Sequence, residues 1–165
     1  MMVATDHVRS QGFNSVTTPD GVFVIAVGDA GLMFRSTNGG NTWASYTIPS
    51  ANLKSVTSIN NDVWIAGSNG KIYKTLKSAS PVNEVDLGIT TQLNSVSFVN
   101  ENTGYVCGNG GAVYKTVNGG INWTSSSTGI PVSTDLNAVS FLDADNGVVG
   151  GKEGKVYVTT NGGAQ

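Results

Sequence analysis

The side chains able to do chemistry are few and scattered. There is one cysteine, Cys107, and one histidine, His7. A reactive thiol needs a nearby base or cation to lower its pKa. Cys107 instead sits in the apolar run Tyr105-Val106-Cys107, which reads as a small core residue, and a lone cysteine rules out an internal disulfide. A single histidine in the terminal segment gives no credible Ser-His-Asp set. Two acids, Asp143 and Asp145, lie beside Asn146 in the loop D-A-D-N-G. Carboxylates at i and i+2 can face one cation, but calcium wants six to eight oxygens, and a glycosidase needs its two carboxylates across a cleft. The cluster reads as a polar turn between strands. No H-E-x-x-H, C-x-x-C or P-loop spacing occurs. The expectation is therefore a non-enzyme with no cofactor and no metal.

The elements that would position any site repeat along the chain. Segments begin F-N-S-V at Phe13, L-K-S-V at Leu53, L-N-S-V at Leu93 and L-N-A-V at Leu136, spaced 40, 40 and 43 residues apart. That period is one four-stranded propeller blade. Within each repeat a polar turn follows the first strand, then an apolar run, then a Gly-x-x-Gly turn at Gly28/Gly31, Gly67/Gly70, Gly108/Gly111 and Gly151/Gly154. An apolar-aromatic pair marks the third strand: Met33-Phe34, Ile72-Tyr73, Val113-Tyr114 and Val156-Tyr157. Runs such as Val22 to Val27 lack alternation, as strands covered on both faces do, and no window has helical periodicity. Composition agrees: 22 glycines, 39% hydrophobic and only 12% charged residues favour strands and tight turns.

The octet Ser36 to Trp43 recurs as Thr116 to Trp123 and Thr159 to Gln165, each with Asn-Gly-Gly at its centre. Asn-Gly between strands is a strong hairpin signal. This octet, with the G-x-x-G-x-I/V-Y-x-T hairpin before it, resembles the Asp-box or BNR repeat, and is most similar to the repeat of the photosystem II assembly-factor propellers. The resemblance covers Phe13 to Gln165. It departs in two ways: Asn38, Asn118 and Asn161 stand where the box has Asp, and the second repeat reads T-L-K-S-A-S-P instead of the octet. The resemblance implies structural roles for Ser36, Asn38, Gly40, Trp43, Thr116, Asn118, Gly120, Trp123, Thr159, Asn161 and Gly163. It implies an extracytoplasmic or secreted protein, although Met1 to Ser10 lacks the apolar core of a signal segment. Sialidases share the box but grip a carboxylate with three arginines, and this chain has only Arg9 and Arg35.

These observations predict an all-β propeller of four four-stranded blades, at 13–52, 53–92, 93–135 and 136–165, in one domain. The last repeat stops before its fourth strand, and Val3 to Arg9 occupy the matching place before the first blade. We therefore expect that segment to pair with Val156 to Thr160, within one chain or between two copies, since closure removes open sheet edges. The first polar position of each repeat (Asn14, Lys54, Asn94, Asn137) should ring the axis and is a candidate binding position, together with Lys152 and Glu153, which differ from their sibling turns. The disc is expected to have one acidic face, carrying Asp20, Asp62, Glu101, Asp143 and Asp145 on its loops, and one mildly basic face, carrying Lys71, Lys152 and Lys155 with Lys54 close by. With a net charge of -2 and no basic excess, nucleic acid is not an expected partner, and no apolar stretch is long enough to insert in a membrane. The expected function is a scaffold for protein–protein interaction or assembly. The alternatives are a glycan-binding module, which needs Trp64 or Trp123 exposed, and a structural subunit of an extracellular or virion assembly.

Overall fold

The computed structural model describes residues 12–77 and 82–164. The described chain is all-β, with two short 3-10 turns and no longer helix. Its strands form four antiparallel meanders. The first holds β1 (Phe13–Thr17), β2 (Val24–Gly28), β3 (Leu32–Ser36) and β4 (Ala44–Thr47). The second holds β5 (Leu53–Ile59), β6 (Asp62–Gly67), β7 (Lys71–Leu76) and β8 (Asn83–Asp86). The third holds β9 (Leu93–Phe98), β10 (Gly104–Gly108), β11 (Val113–Thr116) and β12 (Thr124–Ser125). The fourth has three strands among the described residues: β13 (Leu136–Phe141), β14 (Gly147–Gly151) and β15 (Val156–Thr159). The expected closing strand, Val3 to Arg9, lies outside the described residues.

The core lies between the sheets. Alternation along β2 sends Ile25 and Val27 forward, where they meet Leu53, Val56, Val63, Ile65 and Tyr73 of the second sheet. Trp64, Ala66 and Ile72 repeat this against Leu93, Val96 and Val106. Tyr105, Cys107 and Val113 repeat it against Leu136, Val139 and Val149. The second strands β2, β6 and β10 thus bury both faces, which is why their sequences are continuous apolar runs rather than alternating ones. Aromatic pairs tighten the later junctions: Trp64 stacks on Phe98 with centroids 4.5 Å apart, and Tyr105 on Phe141. The inner strands β1, β5, β9 and β13 pack side by side in that order.

The tight turns follow from backbone sterics. The third residue of each Gly-x-x-Gly turn is left-handed: Ala30, Asn69, Gly110 and Glu153 all have φ between 54° and 68°. Only Gly and Asn adopt that region readily, so Ala30 and Glu153 sit there against their preference.

Candidate functional site

The ring of polar residues is built by a bulge. In the first sheet Phe13 faces Gly28 while Ser15 faces Val27, so Asn14 is an extra residue looped out of the ladder. The same shift occurs at Leu53/Ser55, at Leu93/Ser95 opposite Cys107 and Gly108, and at Leu136/Ala138. A bulge re-aims its side chain, here toward the next sheet. Asn14 Nδ2 donates to the Leu53 carbonyl (2.8 Å) and to Asp29 Oδ1 (2.9 Å). Asn94 Nδ2 donates to the Leu136 carbonyl (2.7 Å) and to Asn109 Oδ1 (2.8 Å). Lys54 reaches back instead, with Nζ 2.9 Å from Asp29 Oδ1. Asn137 is exposed, and its side chain makes no hydrogen bond among the described residues. Three of the four ring positions are therefore engaged in joining one sheet to its neighbour.

A second latch carried no obvious signature. Ser15 Oγ accepts from Val56 N–H (3.1 Å), Ser55 Oγ from Val96 N–H (3.3 Å) and Ser95 Oγ from Val139 N–H (3.2 Å). The only signal available in the sequence was the serine recurring at the third position of three repeat starts, replaced by Ala138 in the fourth. Lys152 and Glu153 lie apart from this ring's contacts. Lys152 Nζ sits 2.6 Å from Asp135 Oδ2, and Glu153 pairs with Lys155. The Lys152 ion pair holds the Asp135 carboxyl below the ordinary value and raises that of Lys152. The lysines expected to make one face basic are neutralised: Lys54, Lys71, Lys152 and Lys155 all have carboxylate partners.

The octets form self-contained turns. Ser36 Oγ donates to Asn38 Oδ1 and accepts from Asn38 and Gly40 N–H, and Thr116 repeats the pattern with Asn118 and Gly120. Thr159 does the same with Asn161 and Gly163. Trp43 Nε1 closes its own turn on the Gly40 carbonyl. Trp123 packs edge-on against Trp64 and Phe98. Trp64 is fully buried and offers no open ring face for stacking on a sugar. Asp143 caps its loop by accepting from the Asn146 side-chain amide and from Asp145 and Asn146 N–H, which together hold its carboxyl low. Burial pushes the Cys107 thiol up to about 12, so it is protonated and inert at neutral pH.

One feature is unlike the rest. The third strands β3, β7 and β11 each pair with a fourth strand, whereas β15 has no outer neighbour among the described residues. Its outward groups follow from its sibling: Val113 N–H and C=O point outward, to Ser127 Oγ and Ser126 N–H, so the equivalent Val156 and, two residues on, Val158 do too. Beside this edge runs a cleft of about 460 Å³, lined by Ser126, Ile130, Phe141, Val149, Tyr157 and Gly163.

A sequence profile for the photosynthesis system II assembly factor YCF48 matches residues 74–165, more than half of the chain. The chain belongs to that family. Among solved structures, YCF48 from Cyanidioschyzon merolae superposes with a TM-score of 0.74 at 18% identity, over 90% of this chain and 50% of that one. A structure described as YCF48 bound to D1 peptide gives 0.65 at 16% identity, over 90% and 65%. The computationally designed Ika4 protein gives 0.74 at 13% identity, over 91% of both chains. At such identities the likeness establishes the propeller fold alone. The chain spans half the length of the C. merolae YCF48. No curated protein sequence matches it.

Proposed function

We propose that this chain is a non-catalytic assembly scaffold of the YCF48 family that takes an extended segment of another protein along β15. The observation that carries the reading is the outer edge of β15, which has no neighbouring strand among the described residues, with the amides of Val156 and Val158 facing outward beside a cleft of mixed polar and apolar lining. An open edge on a rigid sheet binds a strand through main-chain hydrogen bonds, and pockets alongside select its side chains. A related fold recorded with a bound peptide supports a protein partner. The absence of catalytic spacing in the sequence points the same way.

The test is fluorescence anisotropy with labelled peptides: the D1 peptide of that related structure, a panel of extended peptides with alternating apolar residues, and residues 1–11 of this chain. Saturable binding of the D1 peptide or a panel peptide is expected. Val158→Pro removes one outward N–H and leaves the β14 ladder intact, so it should weaken binding about 3- to 10-fold. Equal binding by Val158→Pro refutes the site, and so does failure of every peptide. Binding confined to the chain's own 1–11 peptide would make β15 a closing edge rather than a recognition site.

A further inference from the structure

Asn-Gly is the dipeptide most prone to spontaneous loss of the side-chain amide, because glycine puts no Cβ in the way of its own backbone nitrogen. Asn109-Gly110 differs from its siblings in what it meets. In Asn38-Gly39, Asn69-Gly70, Asn118-Gly119 and Asn161-Gly162 the glycine N–H donates to a main-chain carbonyl, of Val22, Thr91, Asn102 and Asp145 respectively, at 2.7–2.9 Å. A carbonyl oxygen is too weak a base to take that proton. In Asn146-Gly147 the side-chain amide is itself tied to both oxygens of Asp143. Gly110 N–H donates instead to a carboxylate oxygen, Asp135 Oδ1, at 3.1 Å.

The group to be attacked is polarised as well. Asn109 Oδ1 accepts from Asn94 Nδ2 at 2.8 Å, a donor placed where negative charge gathers when Cγ is attacked. Asn38 and Asn118 have such donors too, but no base at the glycine. Asp135 reaches the turn from the segment just before β13. Its Oδ2 pairs with Lys152 Nζ at 2.6 Å, which keeps the carboxyl ionised and leaves Oδ1 on Gly110. Asn109 and Gly110 line a surface cleft of about 500 Å³ with Thr91, Ser125, Ser127 and Ile130, which gives water a way in.

We propose that Asn109 is a self-modifying site, which loses its amide through a cyclic imide and becomes an acid. Gly110 N attacks Asn109 Cγ, and its proton passes to Asp135. Negative charge gathers on Oδ1 and is held by Asn94 Nδ2. The tetrahedral centre collapses, the Cγ–Nδ2 bond breaks, and the leaving nitrogen takes the proton back and departs as ammonia. Water then opens the ring at either carbonyl. The product is an aspartate or an isoaspartate, with one more negative charge than the parent. The fold already shows a home for the aspartate. In the first repeat Asp29 stands at the place of Asn109 and accepts from Asn14 as Asn109 does from Asn94. Lys54 is the second partner of Asp29, and Asn137 stands at the place of Lys54 with an exposed side-chain amide to offer.

Ageing the full chain at neutral pH, with peptide mapping by mass spectrometry at intervals, tests this. Conversion at Asn109 is expected to outpace that at Asn38, Asn69, Asn118 and Asn161, and a more acidic band on isoelectric focusing should grow in step with it. Asp135→Asn keeps an acceptor for Gly110 N–H but cannot take its proton. Conversion at Asn109 should then slow about 10- to 100-fold, at or below the lower end for a general base because the ion pair weakens this one. A merely loosened turn would react faster, so slowing reports the lost base. Lys152→Gln releases the carboxylate from its ion pair and should speed conversion. Circular dichroism and thermal melts establish that both variants are folded, and if Asp135→Asn is not, the Lys152→Gln rate decides. An unchanged or slower rate in Lys152→Gln, or equal rates in Asp135→Asn and the parent, overturns the proposal. So does an Asn109 that outlasts the other Asn-Gly sites in the native chain and converts only once urea has unfolded it.

Discussion

Asn94 separates a structural from a ligand-binding role for the polar ring. Its Nδ2 holds the carbonyl of Leu136, a residue sealed from solvent, and Asn109 Oδ1. Asn94→Ala removes both bonds and leaves the carbonyl without its donor. A bond of this kind contributes about 0.5–1.5 kcal/mol, and an orphaned buried acceptor costs about 1–3 kcal/mol. Water reaches part of the rim, so the lower half of that range applies, and the expected loss is about 1–2 kcal/mol. For a chain of this size each kcal/mol moves the melting temperature by about 2–4 °C, which gives a fall of roughly 2–8 °C. Asn94→Asp keeps the shape but replaces the donor with a charged acceptor aimed at a carbonyl, so it should cost at least as much. Calorimetric melts of both variants, with urea titrations for the free energy, decide the matter. If both variants stay within about 0.5 kcal/mol of the parent, as ordinary surface changes do, the latch reasoning is wrong.

Other outcomes follow from the same geometry. Gly120→Ala should destabilise by about 1–3 kcal/mol in thermal melts, because a Cβ there would run into the ring of buried Trp64. Glu153→Gly should stabilise by about 1 kcal/mol, since Glu153 holds φ at 58° where glycine carries no Cβ penalty; a lower melting temperature would contradict this. Hydrogen bonds from Lys54 and Asn14 hold the Asp29 carboxyl below its ordinary 3.8. A carboxyl depressed in the folded state contributes stability above its unfolded value and loses it as pH falls through the folded one, so melting temperature should be flat above about pH 5 and drop below about pH 4, less so in Asp29→Asn. Native Cys107 should resist thiol reagents at pH 8 and react only in denaturant; fast stoichiometric labelling would refute its burial.

The architecture was legible because it is written in local rules. Strand runs, Gly-x-x-Gly turns and Asn-Gly hairpins each depend on a few adjacent residues, and their recurrence reveals the repeat. The ring residues were harder. Nothing around Asn14 announces that it bulges out of its ladder, since the bulge shows only when Phe13 and Ser15 are set against Gly28 and Val27. The partner of its side chain, Leu53, lies 39 residues away, and which groups come into reach depends on how one sheet turns relative to the next. Charge on the faces was misread for a related reason. Lys71 and its acids Glu84 and Asp86 are distant in sequence but adjacent across β7 and β8, so counting lysines per loop overlooked the pairing.

The octet turns show why Asn can stand where the resembling family has Asp. Asn38 Oδ1 accepts from Thr42 N–H at 2.9 Å and from the Ser36 hydroxyl, which is the work a carboxylate would do. Its amide then adds a donor, Nδ2 to Thr42 Oγ1 at 2.9 Å, and Asn161 Nδ2 likewise reaches the Ala164 carbonyl. A carboxylate can only accept, so it could not reach the Ala164 carbonyl, whereas at Thr42 it would accept from the hydroxyl instead, and its charge would strengthen the bonds it does accept. At Asn161 the turn thus gains a bond in exchange for a charge.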